Sequence, residues 1–315
     1  MKDEYKVVEG KGIIPSGTTE IGDDAFWGCK ELKEMIIPAS VTKICKASFR
    51  GCDNLQTLVL SNNLVEICES AFDGCAQLQD FVIPDSVRVI GEFAFARCQA
   101  LKNILIPASV ARIGPGAFAH CSNMISIAVE EGNRYYDSRG ACNAIIETGN
   151  NTLIQGCIET DIPYETFAIG KYAFAGCNME HIDIPFSIER IEDSAFCSCN
   201  YLEDLVLPDL LRSIGEYAFC LCYNLKNIVI PDLDEKIGRN AFWNCSSLES
   251  VFIPDSVRYI GEEAFAKCFN LEKIVINNAS LLKKAGLPEN QVAIVKPENN
   301  LATEIGTPLI GHKIR

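Results

Sequence analysis

The chain has 315 residues, 48% of them hydrophobic, and a formal net charge of −14. That apolar share is too high for a largely disordered chain, and an acidic balance without a Lys/Arg run argues against nucleic-acid binding. No run of about 18 apolar residues is present, so no membrane-spanning helix is predicted.

Residues 1–12 are expected to form an N-terminal cap. The segment Met1-Lys2-Asp3-Glu4-Tyr5-Lys6 has no apolar core of the kind a secretory leader needs. This predicts either a cytoplasmic protein or a leader that lies outside this sequence.

From residue 13 to 277 the chain repeats itself, in about eleven coils. The Phe of an Ala-Phe dipeptide, once Ser-Phe, falls at 26, 49, 72, 95, 118, 174, 196, 219, 242 and 265. The steps are 23 residues, except one of 56 and one of 22. A fixed period of this length is the mark of a solenoid, whose units bury a core only by stacking. One unit reads C-x-x-L-x-x-I-x-I-P-x-S-V-x-x-I-G-x-x-A-F-x-x-C, as in Cys75 to Cys98. Leu78, Phe81 and Ile83 have a strand-like spacing that points them inward. Pro84 lacks an N–H and ends the strand. Val87 and Ile90 lie on a short tight segment, Gly91 is expected to permit the turn, and Phe95 fills the core. Equivalent triplets run from Leu32/Met35/Ile37 to Leu271/Ile274/Ile276. Thr18, Thr166 and Asp234 replace the Val after the strand, and the coil with Asp234 is expected to be weak.

The L-x-x-L-x-L core with this continuation resembles the BspA-like subclass of leucine-rich repeats, found in bacterial and protist surface proteins. The resemblance covers roughly residues 12 to 277. It implies a leucine-rich repeat solenoid: a right-handed, curved, β-rich stack with one parallel sheet and short strands, 3-10 or helical turns on the convex side. It also implies a cell-surface or secreted protein that adheres to a protein or peptide ligand, host or matrix proteins among them. A cytoplasmic interaction scaffold, or the repeat region of a larger protein, remains open.

The step of 56 places an insertion at 130–161. There Cys142–Thr148 and Thr152–Cys157 flank Gly149-Asn150-Asn151, which predicts a β-hairpin. It is either a variant of one coil or a protruding binding element. Residues 278–315 are expected to be a C-terminal cap or tail, with a short helix over Ser280–Ala285 ended by Gly286, and a strand over Gln291–Val295.

Ten of the sixteen cysteines lie three residues after the Phe: Cys29, Cys52, Cys75, Cys98, Cys121, Cys177, Cys199, Cys222, Cys245 and Cys268. Stacking turns them into a structural column, and a column does not converge on a metal. Cys45 and Cys68 share the Gly slot one coil apart, and Cys197 and Cys220 each follow the Phe. Either pair would then lie within disulfide range. Cys142 and Cys157 are expected near each other at the hairpin ends. His120, His181 and His312 share no spacing, and no H-E-x-x-H, G-x-S-x-G, P-loop or G-x-G-x-x-G is present. No catalytic residue, metal or cofactor is therefore predicted.

Within each strand, the residue between the last two inward ones faces solvent. That row is Ile36, Val59, Val82, Leu105, Ala128, Asp183, Val206, Val229, Phe252 and Val275. Two residues earlier runs a polar row containing His181 and Asp204. An exposed apolar stripe beside varied polar residues predicts a protein- or peptide-binding face. Strand preference for β-branched residues is the alternative source of the stripe.

Overall fold

The computed structural model describes residues 5–232, 235–287 and 293–295. Asp234, His312, the tail 296–315, residues 1–4 and the start of the expected strand at 291–292 lie outside it. The described chain is a β-solenoid of about twelve turns. Its only helical segments are 3-10 turns at Arg139–Ala141 and Ala279–Lys284. The second is the expected terminal helix, and Gly286 beyond it has φ +68°.

Two ladders of parallel strands run along the stack. The first is built from the triplets, paired at identical repeat positions: Glu34↔Thr57, Met35↔Leu58, Ile36↔Val59, and likewise Ile228↔Val251↔Ile274. The second is built from two-residue strands at each x-Ile before the Gly slot, such as Lys43–Ile44, Glu66–Ile67 and Val89–Ile90. The turn between ladders is closed by the Val amide, which donates to the Pro carbonyl three residues back, as in Val87 to Pro84 at 3.0 Å. On the remaining side, Phe amides within each run donate to the residue before the next coil's Phe, for example Phe72 to the Ala94 carbonyl at 2.7 Å. Where all three lines are present, they satisfy backbone that irregular turns would otherwise leave unpaired.

The first ladder forms no strand at residues 177–185 and 202–208, nor at residues 79–83. There the Asp80 carboxylate accepts the amides of Lys102 (2.9 Å) and Asn103 (3.0 Å), substituting for backbone carbonyls. Burial raises the Asp80 pKa, but these bonds and one from the Asn103 side chain outweigh it and hold the carboxyl below its usual range.

The core is a stack of phenylalanine rings. Neighbouring centroids are 4.9–5.6 Å apart and the ring planes nearly parallel from Phe26 to Phe118, and again from Phe174 to Phe265. The insertion separates the two runs and divides the core in two: Ile145 and Cys157 pack with the first part, Ile146, Leu153 and Phe174 with the second. The predicted hairpin is present as Ala144–Glu147 and Thr152–Gly156, antiparallel, with Tyr136–Asp137 adding a third strand. Its second strand pairs in parallel with Ala168–Ile169 and so starts the second run of short strands. The Tyr136 hydroxyl accepts the Ile113 amide at 2.9 Å, covering the end of the first run.

The glycine of the repeat has a different role from the one expected. Left-handed backbone falls two residues later, at Asp24, Ala47, Ser70, Phe93 and their equivalents, and two residues after the Phe, at Gly28, Gly51, Gly74, Arg97 and theirs. Where the slot holds glycine, close approach rather than φ constrains it: a Cβ on Gly238 would lie 2.4 Å from the Gly215 carbonyl carbon, whereas Cys45, Cys68 and Glu192 carry side chains at the same slot in other coils. Gly238→Ala is therefore expected to destabilise by about 1–3 kcal/mol through overpacking. Gly74→Ala has φ +78° but no atom nearer than 3.6 Å. It is expected to cost only about 1 kcal/mol through its backbone angle. Urea denaturation of the two variants measures the difference.

Candidate functional site: the sheet face

The first ladder decides which side chains reach solvent. In Thr57–Val59 the inward Leu58 is buried and the flanking Thr57 and Val59 are exposed, the alternation a pleated strand imposes. Repetition carries this along the stack. Ile36, Val59, Val82, Leu105, Val206 and Val229 are all exposed, from 40% at Val229 to 81% at Val82. Phe252 is half-buried. Val275 departs from expectation: it is fully buried, on the last coil, where Ala293–Val295 pairs beside it in register and closes that end of the ladder.

The polar row beside the stripe is cross-linked to itself. Lys11 bridges to Glu34 at 3.1 Å, Asn103 donates to Asp80 at 2.6 Å and Ser250 to Asn227 at 2.7 Å. His181 and Asp204 are exposed, and His181 Nε2 lies 3.0 Å from Asp183 Oδ1. Such lateral pairs hold side chains in place on an otherwise open surface, although each contributes little to stability.

The structure adds a rung that the triplet pattern misses. After the hairpin, Ile158 donates its amide to the Met124 carbonyl at 3.1 Å, and Ile162 is buried in the core. Asp161 precedes Ile162-Pro163 as Ile36 precedes Ile37-Pro38, so it occupies a stripe position and is exposed. With Asp183 on the following coil, two adjacent acidic residues divide the stripe into a run from Ile36 to Ala128 and a run from Val206 to Phe252. The x-I-P tripeptide was the available signal, but the segment before it lacks the Leu triplet and forms no strand. A second feature that sequence reasoning passed over is an exposed aromatic pair. Tyr164 and Phe186 each follow the Pro of successive coils, with ring centroids 5.9 Å apart.

The cysteine column is present. Eight of its thiols donate to the Phe carbonyl of the preceding coil, at 3.1–3.4 Å, from Cys52 to Phe26 through Cys268 to Phe242. Cys29 and Cys177 open the two runs; Cys29 is half-buried and Cys177 buried. Burial pushes the Cys52 and Cys177 thiols up to about 12, so they stay protonated. Cys142 and Cys157 do not meet as expected. Cys142 packs with the second core part and Cys157 with the first, where its thiol bonds the Asn143 carbonyl at 3.3 Å. The bulge at Ile145/Ile146 accounts for this, because it shifts the register between the hairpin strands and turns adjacent side chains to opposite sides.

No helix among the described residues is long and apolar enough to cross a membrane. The family model "BspA type Leucine rich repeat region" matches residues 11–139 and 168–285, in six copies. A search of curated proteins finds no match. Among solved structures, a leucine rich cell surface protein from Faecalibacterium prausnitzii is 28% identical, with a TM-score of 0.71 over 87% of this chain and 81% of that one. A leucine-rich repeat protein from Eubacterium ventriosum is 22% identical, with a TM-score of 0.71 over 85% and 72%. The pneumococcal vaccine antigen PcpA is 21% identical, with a TM-score of 0.67 over 95% and 84%.

Proposed function

The chain belongs to the BspA-type leucine-rich repeat family, and we propose that it serves there as a non-catalytic adhesion module of a cell-surface or secreted protein. Its ligand is a protein or peptide, of host or matrix origin, held on the sheet face. The observation that carries this reading is the pair of apolar runs on that face, exposed from Ile36 to Leu105 and from Val206 to Val229, with the half-buried Phe252 beyond. Contiguous exposed apolar surface of this kind is characteristic of interaction sites. The surface location draws support from the Faecalibacterium relative, itself described as a cell surface protein. On this reading, residues 13–277 are the binding array, 1–12 its N-terminal cap and 278–315 a C-terminal cap or tail. Tyr5, packed on the first core ring Phe26 at 5.2 Å, supports the N-terminal assignment.

The test replaces Val206, Val229 and Phe252 with Ser together. The ligand retained by the wild-type chain from host or bacterial surface fractions is first identified and titrated. Because the three side chains project outward, the triple variant is expected to fold normally by circular dichroism. Its affinity should fall at least about tenfold, as for removal of apolar anchors. Unchanged affinity in a folded variant removes this face as the site.

A further inference from the structure

Two cysteines stand apart from the column. Cys197 and Cys220 each follow the core Phe in successive coils. Hydrogen bonds bracket them: the Phe196 amide to the Ala218 carbonyl at 2.8 Å, and the Ser198 amide to the Cys220 carbonyl at 2.7 Å. These bonds set the two backbones at the spacing of paired strands, about 4.8 Å. That value lies inside the Cα range a disulfide accepts, roughly 4.4–6.8 Å. The column thiols Cys199 and Cys222 turn inward to the carbonyls of Phe174 and Phe196. Cys197 and Cys220 are stacked at the same repeat position one coil apart, and Ser198 Oγ lies 3.6 Å from Cys197 Sγ. Cys197 is half-buried and open to solvent on one side, whereas Cys220 is buried.

We infer that Cys197 and Cys220 form a reactive dithiol, a modification site at which a low-molecular-weight disulfide installs a covalent bond between adjacent coils. The Cys197 thiolate attacks one sulfur of the reagent RSSR. The reagent's S–S bond breaks, a Cys197–S–S–R bond forms, and RS⁻ leaves and takes up the proton Cys197 gave to solvent. Cys220 then loses its proton and attacks the Cys197 sulfur, expelling the second RS⁻, which is protonated in turn. Two protein thiols and one RSSR become one protein disulfide and two RSH, so the protein loses two electrons and the reagent gains them.

The order of attack follows from the surroundings. The neighbouring Cys220 outweighs burial and, with help from Ser198, holds the Cys197 thiol below the usual thiol range. A thiol with a pKa near ambient pH is the most effective attacker in exchange. Proximity to Cys197, together with burial, pushes Cys220 far above that range, so it acts second. Cys45 and Cys68, also one coil apart, provide an internal comparison. Burial is the first cause holding both up, Cys68 to about 12. They should resist the reagent.

The experiment exposes the full chain to glutathione disulfide, quenches with acid, unfolds and alkylates, and maps peptides without reduction. The expected product joins Cys197 to Cys220 and leaves the other cysteines alkylated, with an unchanged circular dichroism spectrum. Between about pH 8 and about pH 6 its rate should fall about tenfold, following the thiolate fraction. Cys220→Ser should accumulate a glutathione adduct on Cys197, and Cys197→Ser should form neither adduct nor bond. The proposal is overturned by full alkylation of both thiols in the treated wild type, by a lasting adduct on wild-type Cys197, or by equal bridging of Cys45 and Cys68.

Discussion

Phe219→Ala should lower the stability of the array by about 3–5 kcal/mol, the range for truncating a fully buried aromatic. The ring of Phe219 has no exposed surface and is stacked on both faces, 5.2 Å from Phe196 and 5.3 Å from Phe242. Its loss removes apolar burial and leaves a ring-sized cavity between two coils that are held apart by their own backbone bonds. Those bonds, Phe219 to Ala241 at 2.7 Å and Phe196 to Ala218 at 2.8 Å, prevent the neighbours from closing the gap. In a solenoid the damage falls on two interfaces, because stability is a sum of coil and nearest-neighbour terms. Phe265 is equally buried but has one ring neighbour in the stack, Phe242 at 5.5 Å. Phe265→Ala should therefore cost measurably less. Chemical denaturation of both variants decides the matter: equal losses would mean that ring stacking between coils does not carry the stability.

The repeat was legible because its columns are physical. Phe, Cys and the inward Leu and Ile recur at one period, and in-register pairing places each directly over its predecessor. Positions whose constraint is backbone proximity were less legible. The slot glycine reads as a turn residue, yet its φ is ordinary, and what a Cβ on Gly215 or Gly238 would meet is the backbone of the coil beneath. The real turns are held by Phe93, Tyr217 and Leu221, which no turn propensity would select. They adopt left-handed backbone because the bonds between coils over-determine it. The binding face was legible as a row, but its ends and centre were not. Val275 is buried by a strand that lies outside the repeat, and Asp161 belongs to a rung that lacks the triplet and forms no strand. Burial of the first kind depends on chain far along the sequence, and the second needs the path of the insertion.

That path makes Gly156 the most sensitive single position at the junction of the two core parts. A Cβ there would lie 2.1 and 2.6 Å from ring carbons of Phe174. The Gly156 amide donates to the Ala173 carbonyl at 2.9 Å, and the buried Gln155 side chain donates to the carbonyls of Gly156 and Ala173 at 2.9 and 3.1 Å. The backbone therefore cannot retreat, and the ring must move. Phe174 is the first ring of the second stack, 5.1 Å from Phe196, so its displacement loosens the contact on which the following coils are built. Gly156→Ala should cost about 3 kcal/mol, toward the upper end for overpacking in a dense core. The loss should also be uneven. With the junction weakened, the coils from Phe174 onward should melt before those from Phe26 to Phe118, since each segment keeps its own core and its own short-strand ladder. Calorimetry of the variant should resolve two transitions, and amide exchange should assign the lower one to the second segment. A single transition shifted as a whole would show that the two cores remain coupled through the ladders on the other sides.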